Sequence, residues 1–217
     1  MTWIKRVPAH HGGVRLEAQV TPCPRDNRVH PYCDRPYRSP PAAMKAEETP
    51  GVVAAAILDD GQQDVDALLA QVARSQQQAG RRLRGLLMTH PEGREGCAAP
   101  MVLVDLHSRD EYLVSQPLGS GSTACRADVQ GFASASQVLR DALQARPDLV
   151  ISNRFGGLEA EGGGFAAELL ELMALGVPVL TVVASRHLQA WQKFTGTGVV
   201  LPADATAVTV WLAEHLD

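Results

Sequence analysis

From Gly51 onward the chain alternates short, continuous apolar runs with segments whose apolar residues recur at helical spacing, and this alternation limits the fold more than any other feature. The runs are Gly51–Leu58 (GVVAAAIL), Leu83–Met88, Asp148–Ser152, Pro178–Val183 and Gly198–Leu201. An apolar run without polar alternation fits a strand covered on both faces, as in a parallel sheet. Between them, Val65, Leu68, Leu69 and Val72 mark a helix over 64–79, ended by Gly80. Phe132, Ala135, Leu139 and Leu143 mark one over 129–145. Phe165, Leu169, Leu172 and Met173 mark another, closed by Gly176 with Pro178 beyond it. Leu188, Trp191 and Phe194 give a short helix. Asp204 caps a last one carrying Val208, Leu212 and Leu216. Met101–Asp105 and Glu111–Ser115 flank a polar turn and predict an antiparallel hairpin. The expectation is an α/β fold of three layers, with a mostly parallel sheet and an inserted hairpin.

The first fifty residues read differently. They hold eight of the fourteen prolines, with eight Lys/Arg against five Asp/Glu, about +3. The remainder has twelve against nineteen, about −7, so the whole 217-residue chain stands at −4. Pro-rich polar chain cannot bury enough apolar area to offset its ordering entropy. The expected organisation is an extended or disordered arm over 1–50 and an α/β domain over 51–217. No basic stripe points to nucleic acid. No run of 18 or more apolar residues points to a membrane span. The N-terminus lacks an apolar signal core, which places the protein in the cytoplasm. Four scattered cysteines (Cys23, Cys33, Cys97, Cys125) do not make a disulfide framework.

Candidate chemistry concentrates after the strand at 148–152, in Asn153-Arg154-Phe155-Gly156-Gly157-Leu158-Glu159-Ala160-Glu161-Gly162-Gly163-Gly164. Ligands of open α/β sheets bind beyond the carboxyl ends of strands. The Arg154 fork suits a carboxylate, a phosphate or a tetrahedral oxyanion. It would equally serve a structural pair with Glu159 or Glu161. Gly162 and Gly163, at a helix start, could offer backbone N–H groups to an anion, or form a loop that packs closely. Gly119-Ser120-Gly121, with Arg126 beyond, reads as a ligand-wrapping loop or simply a loop. Asp59 and Asp60, with Asp64 and Asp66, could hold a hard cation, although capping by Asp64 beside solvated neighbours is favoured. Cys97 and Cys125 could share a soft metal or a redox role, or be two unrelated thiols. Cys23, Cys33 and the arm histidines match no zinc spacing. No cofactor is specified.

These residues carry a resemblance. The strand with Asp59-Asp60-Gly61, the Gly119-Ser120-Gly121 and Cys125-Arg126-Ala127-Asp128 segments, Asn153 to Gly162, and Val177-Pro178-Val179-Leu180 with Trp191 and Phe194 resemble a prokaryotic domain of unknown function. That domain occurs in stand-alone proteins and in some molybdate-transporter ATP-binding proteins. The resemblance covers about 51–215 and leaves the arm outside. More distantly, the body is similar to small P-loop nucleoside-triphosphatases, with Asn153 to Glu159 lying on their Asp-Glu-Ile-Gly-x-x-Glu strand end. It departs from them where Leu58-Asp59-Asp60-Gly61-Gln62-Gln63-Asp64 replaces G-x-x-x-x-G-K-[ST], so the Walker motifs are degenerate.

The resemblance implies a P-loop-like fold without Walker A. The residues themselves read first as a cytoplasmic ligand-binding or accessory protein, and the family's association links it to molybdate handling. Its site would take a small anion or nucleotide-like molecule through Asn153, Arg154, Gly156, Gly157, Gly162, Gly163, Gly119, Ser120, Gly121 and Arg126. The alternative is a divergent metal-dependent nucleoside-triphosphate hydrolase or transferase, with Glu159 or Glu161 activating water and Asp59 or Asp60 holding metal. A third is a partner protein of molybdate transport or metalloenzyme assembly. A homodimer is compatible with the sequence, and nothing in the sequence establishes one.

Overall fold

The computed structural model describes residues 52–89, 100–117 and 125–216. The arm expected over 1–50, and Cys97, Gly119, Ser120 and Gly121, lie outside these residues. Seven strands form one sheet in the order β4-β3-β2-β7-β8-β1-β9. These are β1 (Ala54–Asp59), β2 (Leu83–Thr89), β3 (Val102–Asp105), β4 (Glu111–Leu113), β7 (Leu149–Phe155), β8 (Val179–Ala184) and β9 (Val199–Leu201). Five of them, from β2 to β9 across the order, are parallel, and β3 and β4 add the expected antiparallel hairpin at one edge. A separate antiparallel pair, β5 (Ser115–Pro117) with β6 (Cys125–Ala127), follows the hairpin.

Chain direction explains the layers. The crossover from β1 to β2 runs one way along the sheet. Those from β2 to β7, β7 to β8 and β8 to β9 run the other way. With right-handed crossovers, the reversal puts the helices on opposite faces. On one face α1 (Val65–Gln78) and α6 (Ala205–Leu216) pack on Ala55, Ile57, Leu149, Ile151, Leu180 and Val182. On the other, α2 (Val129–Ala145), α4 (Ala166–Ala174) and α5 (Leu188–Thr195) pack on Ala54, Ala56, Val150, Phe155, Val179 and Val183. Along β1 and β8, and in β7 as far as Ile151, strand residues alternate between the two cores, so the strands of the sheet centre read as uninterrupted apolar runs. Three aspartates start helices as caps. Asp64, Asp128 and Asp204 accept from the N–H groups of Ala67, Gln130 and Ala207 at 2.9, 3.1 and 2.8 Å.

Besides β6, which forms where a loop was expected to run on to Arg126, two elements differ from expectation. β7 does not stop at Ser152 but continues through Asn153 and Arg154 to Phe155, with a register irregularity against β8 between Ser152 and Phe155. And the glycine-rich stretch opens with a short helix, α3 (Gly157–Ala160). In both places charged or polar side chains find partners inside the structure, Asn153 through its Oδ1, Arg154 through two aspartates and Glu159 through two N–H groups, so polarity did not mean loop.

Candidate functional site

The parallel sheet brings the carboxyl ends of β1, β8 and β7 side by side. Connections leave β1 and its neighbour β8 in opposite directions, which makes their carboxyl ends the switch point where such sheets bind ligands. Asp59 is the last residue of β1, and Arg154 lies near the end of β7, with β8 between them. The Arg154 guanidinium spans that gap. Nη1 donates to Asp59 Oδ2 at 2.6 Å, and Nη2 donates to Asp66 Oδ1, in the first turn of α1, at 3.0 Å. Three elements are thereby joined through one planar fork. The Arg154 side chain is 32% exposed.

The electrostatics follow from this geometry. The hydrogen bond from Arg154 holds the Asp59 carboxyl below the usual carboxylate range, against the opposing effect of burial. Burial disfavours the Arg154 charge, but its bonds to Asp59 and Asp66 outweigh that and hold its pKa above the usual value. The expected structural partners Glu159 and Glu161 are thus replaced by Asp59 and Asp66, because the Glu159 carboxylate is turned to other donors.

Glu159 is 5% exposed. Its Oε2 accepts from the Gly156 N–H at 2.9 Å and its Oε1 from the Phe165 N–H at 3.1 Å. It ties the end of β7 to the start of α4. Gly164 sits at φ +55°, and a Cβ there would lie 2.0 Å from Glu159 Oε1, so only glycine lets the carboxylate approach. The N–H groups of Gly162 and Gly163 also turn inward, to the carbonyls of Glu159 and Leu158 at 3.1 and 2.8 Å. Glu161, by contrast, is exposed.

The loop after β1 is closed on itself. Asp59 Oδ1 accepts from the Gly61 N–H and Asp60 Oδ1 from the Gln62 N–H, each at 3.0 Å. Amides that could face a phosphate at this position are held by the loop's own carboxylates. Among the described residues no group of three or more His, Cys, Asp or Glu is placed to hold a metal. Asn153 is 3% exposed, and its Oδ1 accepts from the Met88 N–H at 2.9 Å, extending the junction of β7 with β2 beyond the ladder. Its Nδ2 is buried without a partner. Cys125 and Arg126 lie on β6, opposite Pro117 and Gln116.

The sequence reading missed Arg186 and His187, which follow β8 at the same switch point. Arg186 Nε donates to His187 Nε2 at 3.1 Å. His187 also approaches Gly157, where an added Cβ would lie 3.7 Å from its Cε1. The available signal was two adjacent basic residues directly after a buried strand.

Comparison with known proteins adds two findings. The family model described as "Protein of unknown function (DUF2478)" matches residues 54–211. A protein named "Molybdenum import ATP-binding protein ModC 2", from Bradyrhizobium diazoefficiens, is 36% identical over 200 residues, 92% of this chain and 20% of that protein. The chain therefore spans about a fifth of that relative's length. A match of 200 residues is longer than the body, so similarity reaches back into the first fifty residues, beyond the boundary expected from sequence. No helix among the described residues is long and apolar enough to cross a membrane.

Proposed function

The chain belongs to the DUF2478 family of unknown function, and from that premise we propose that it is an accessory domain that binds an oxyanion, molybdate or a relative of it, at the carboxyl edge of its sheet. One observation carries the reading: the Arg154 guanidinium is fixed at the switch point by Asp59 and Asp66, yet a third of the side chain stays open to solvent. Two of the five N–H donors of an arginine are used by the two carboxylates, and the solvent-facing part of the fork is left for a ligand. Arg186, exposed at the same edge, adds positive charge. A tetrahedral oxyanion would add to the pre-set fork rather than order it, which keeps the entropic cost of binding low. The name of the relative, a molybdenum import ATP-binding protein, makes molybdate the first ligand to test. A cytoplasmic accessory role beside a transporter ATPase fits the same name.

The geometry gives the hydrolase alternative less support. The loop after β1 has no lysine and holds its Gly61 and Gln62 amides through Asp59 and Asp60, so it offers a triphosphate no positive charge and keeps those two donors to itself. Both carboxylate oxygens of Glu159 already accept backbone N–H groups. The test is a thermal-shift titration with molybdate, tungstate, sulfate, phosphate and Mg-nucleotides. A ligand at about 100 times its dissociation constant adds roughly 2.7 kcal/mol. The expected result is a shift with molybdate and tungstate that Arg154→Lys weakens. Equal shifts in wild type and Arg154→Lys, or none with any oxyanion, would end the proposal.

A further inference from the structure

At the opposite end of the sheet, where β2 begins, lies a cleft of about 500 Å³. Arg81, Arg82 and Arg84 line it from the chain entering β2, His107 from the turn after β3, Gln77 from the end of α1, and Pro147 from the segment after α2. No carboxylate is among its lining residues. We propose that this cleft is a second anion site, which takes a small molecule carrying two linked phosphoryl groups.

Three features set the ligand class. Arg82, just before β2, and Arg84, within it, both line the cleft, and in extended chain side chains two residues apart share a side, about 7 Å from one another. Paired guanidinium forks match two adjacent phosphoryl groups better than a single oxyanion. The cavity is in the size range of small-molecule sites and larger than one oxyanion needs. The arginines are also held for the task. Arg82 Nη2 donates to Asp148 Oδ1 at 2.7 Å, and its backbone N–H donates to Asp148 Oδ2 at 2.8 Å. Arg81 reaches the Leu216 carbonyl at the end of α6.

A simpler role, in which basic residues complement the negative carboxyl ends of α1 and α2, would account for Arg81 and Arg82. It does not account for Arg84. That residue lies within β2, is half-buried, and has no ion pair among the described residues. A half-buried guanidinium without a carboxylate partner, facing a cleft with no acidic lining, points to an anionic occupant.

The test uses the full chain and isothermal titration with inorganic pyrophosphate at about 50 mM salt, where screening is weak. Orthophosphate and ADP are run in parallel. Pyrophosphate or ADP should bind at least tenfold more tightly than orthophosphate, the pair separating a free diphosphate from a nucleotide. Arg84→Gln should weaken that binding at least tenfold, and by the same factor in an Arg154→Lys background, which removes any contribution from the other end of the sheet. If Arg84→Gln fails to fold, Arg82→Gln and His107→Ala, at exposed positions, should each weaken binding measurably. No binding by either diphosphate, unchanged binding in these variants, or an Arg84→Gln effect that vanishes in the Arg154→Lys background would overturn the site. Because the two sites respond to different arginines, failure here leaves the oxyanion proposal standing, and the reverse holds too.

Discussion

Glu159 is the residue for which the sequence and the structure assign different work, and replacing it with glutamine separates them. Position 159 accepts two N–H groups in a site that is 5% exposed. Glutamine keeps one acceptor oxygen and turns an NH₂ toward the second N–H. The loss is one charge-assisted hydrogen bond plus a buried donor left facing a donor, together about 3 kcal/mol. For a domain of this size that lowers the melting temperature by on the order of 10 °C. Urea unfolding, followed by tryptophan fluorescence and by circular dichroism, gives the free energy and checks two-state behaviour. Gly164 supplies an internal control. In wild type, Gly164→Ala meets both a left-handed φ and the Glu159 carboxylate, and should cost more than about 2 kcal/mol. In the Glu159→Ala background the collision with the carboxylate is gone, and the backbone cost of about 1 kcal/mol should remain together with the closer contact to Leu158 Cβ, 3.1 Å from the added Cβ. Additive costs, or a Glu159→Gln change below about 0.5 kcal/mol, would refute the assignment of Glu159 as the tie between β7 and α4.

The Arg154 fork gives two further expectations. A double-mutant cycle of Arg154→Met with Asp66→Ala should show a coupling of about 1 kcal/mol, discounted from buried-pair values because part of the fork remains in water; zero coupling would mean the bond is not held in solution. The Asp59 carboxyl is depressed in the folded state, so its contribution is complete above the unfolded value near 3.8 and fades as pH falls through the lower folded value. The stability gap between wild type and Asp59→Asn should be constant from pH 7 to about pH 5 and shrink below about pH 4; a gap that widens in acid would contradict the pairing.

How much could be read from sequence follows from which signals are local. The β1 run, the α1 periodicity and the hairpin at Met101–Ser115 depend on neighbours in the chain, and each appears close to its expected bounds. The caps at Asp64 and Asp204 are local in the same way. The end of β7 was misplaced because Asn153 and Arg154 look like loop residues. What lets them continue a strand is Met88 on β2, and Asp59 and Asp66 on β1 and α1, all far away in sequence. The glycine-rich stretch signalled a close approach correctly. The approaching group is the chain's own Glu159, which spacing alone could not distinguish from a ligand. Arg186 and His187 reach the same edge only because β8 lies beside β1, a pairing distant in sequence that no local signal carries.

The central claim is that an oxyanion sits against Arg154 at the carboxyl edge of the sheet. Crystals soaked in tungstate, a heavy analogue of molybdate, test it directly by anomalous scattering. The account predicts a tungsten peak in front of Arg154 and Arg186, within hydrogen-bond reach of the Arg154 guanidinium. A peak confined to the arginine cleft at the start of β2, or no ordered peak in the protein at all, would contradict it.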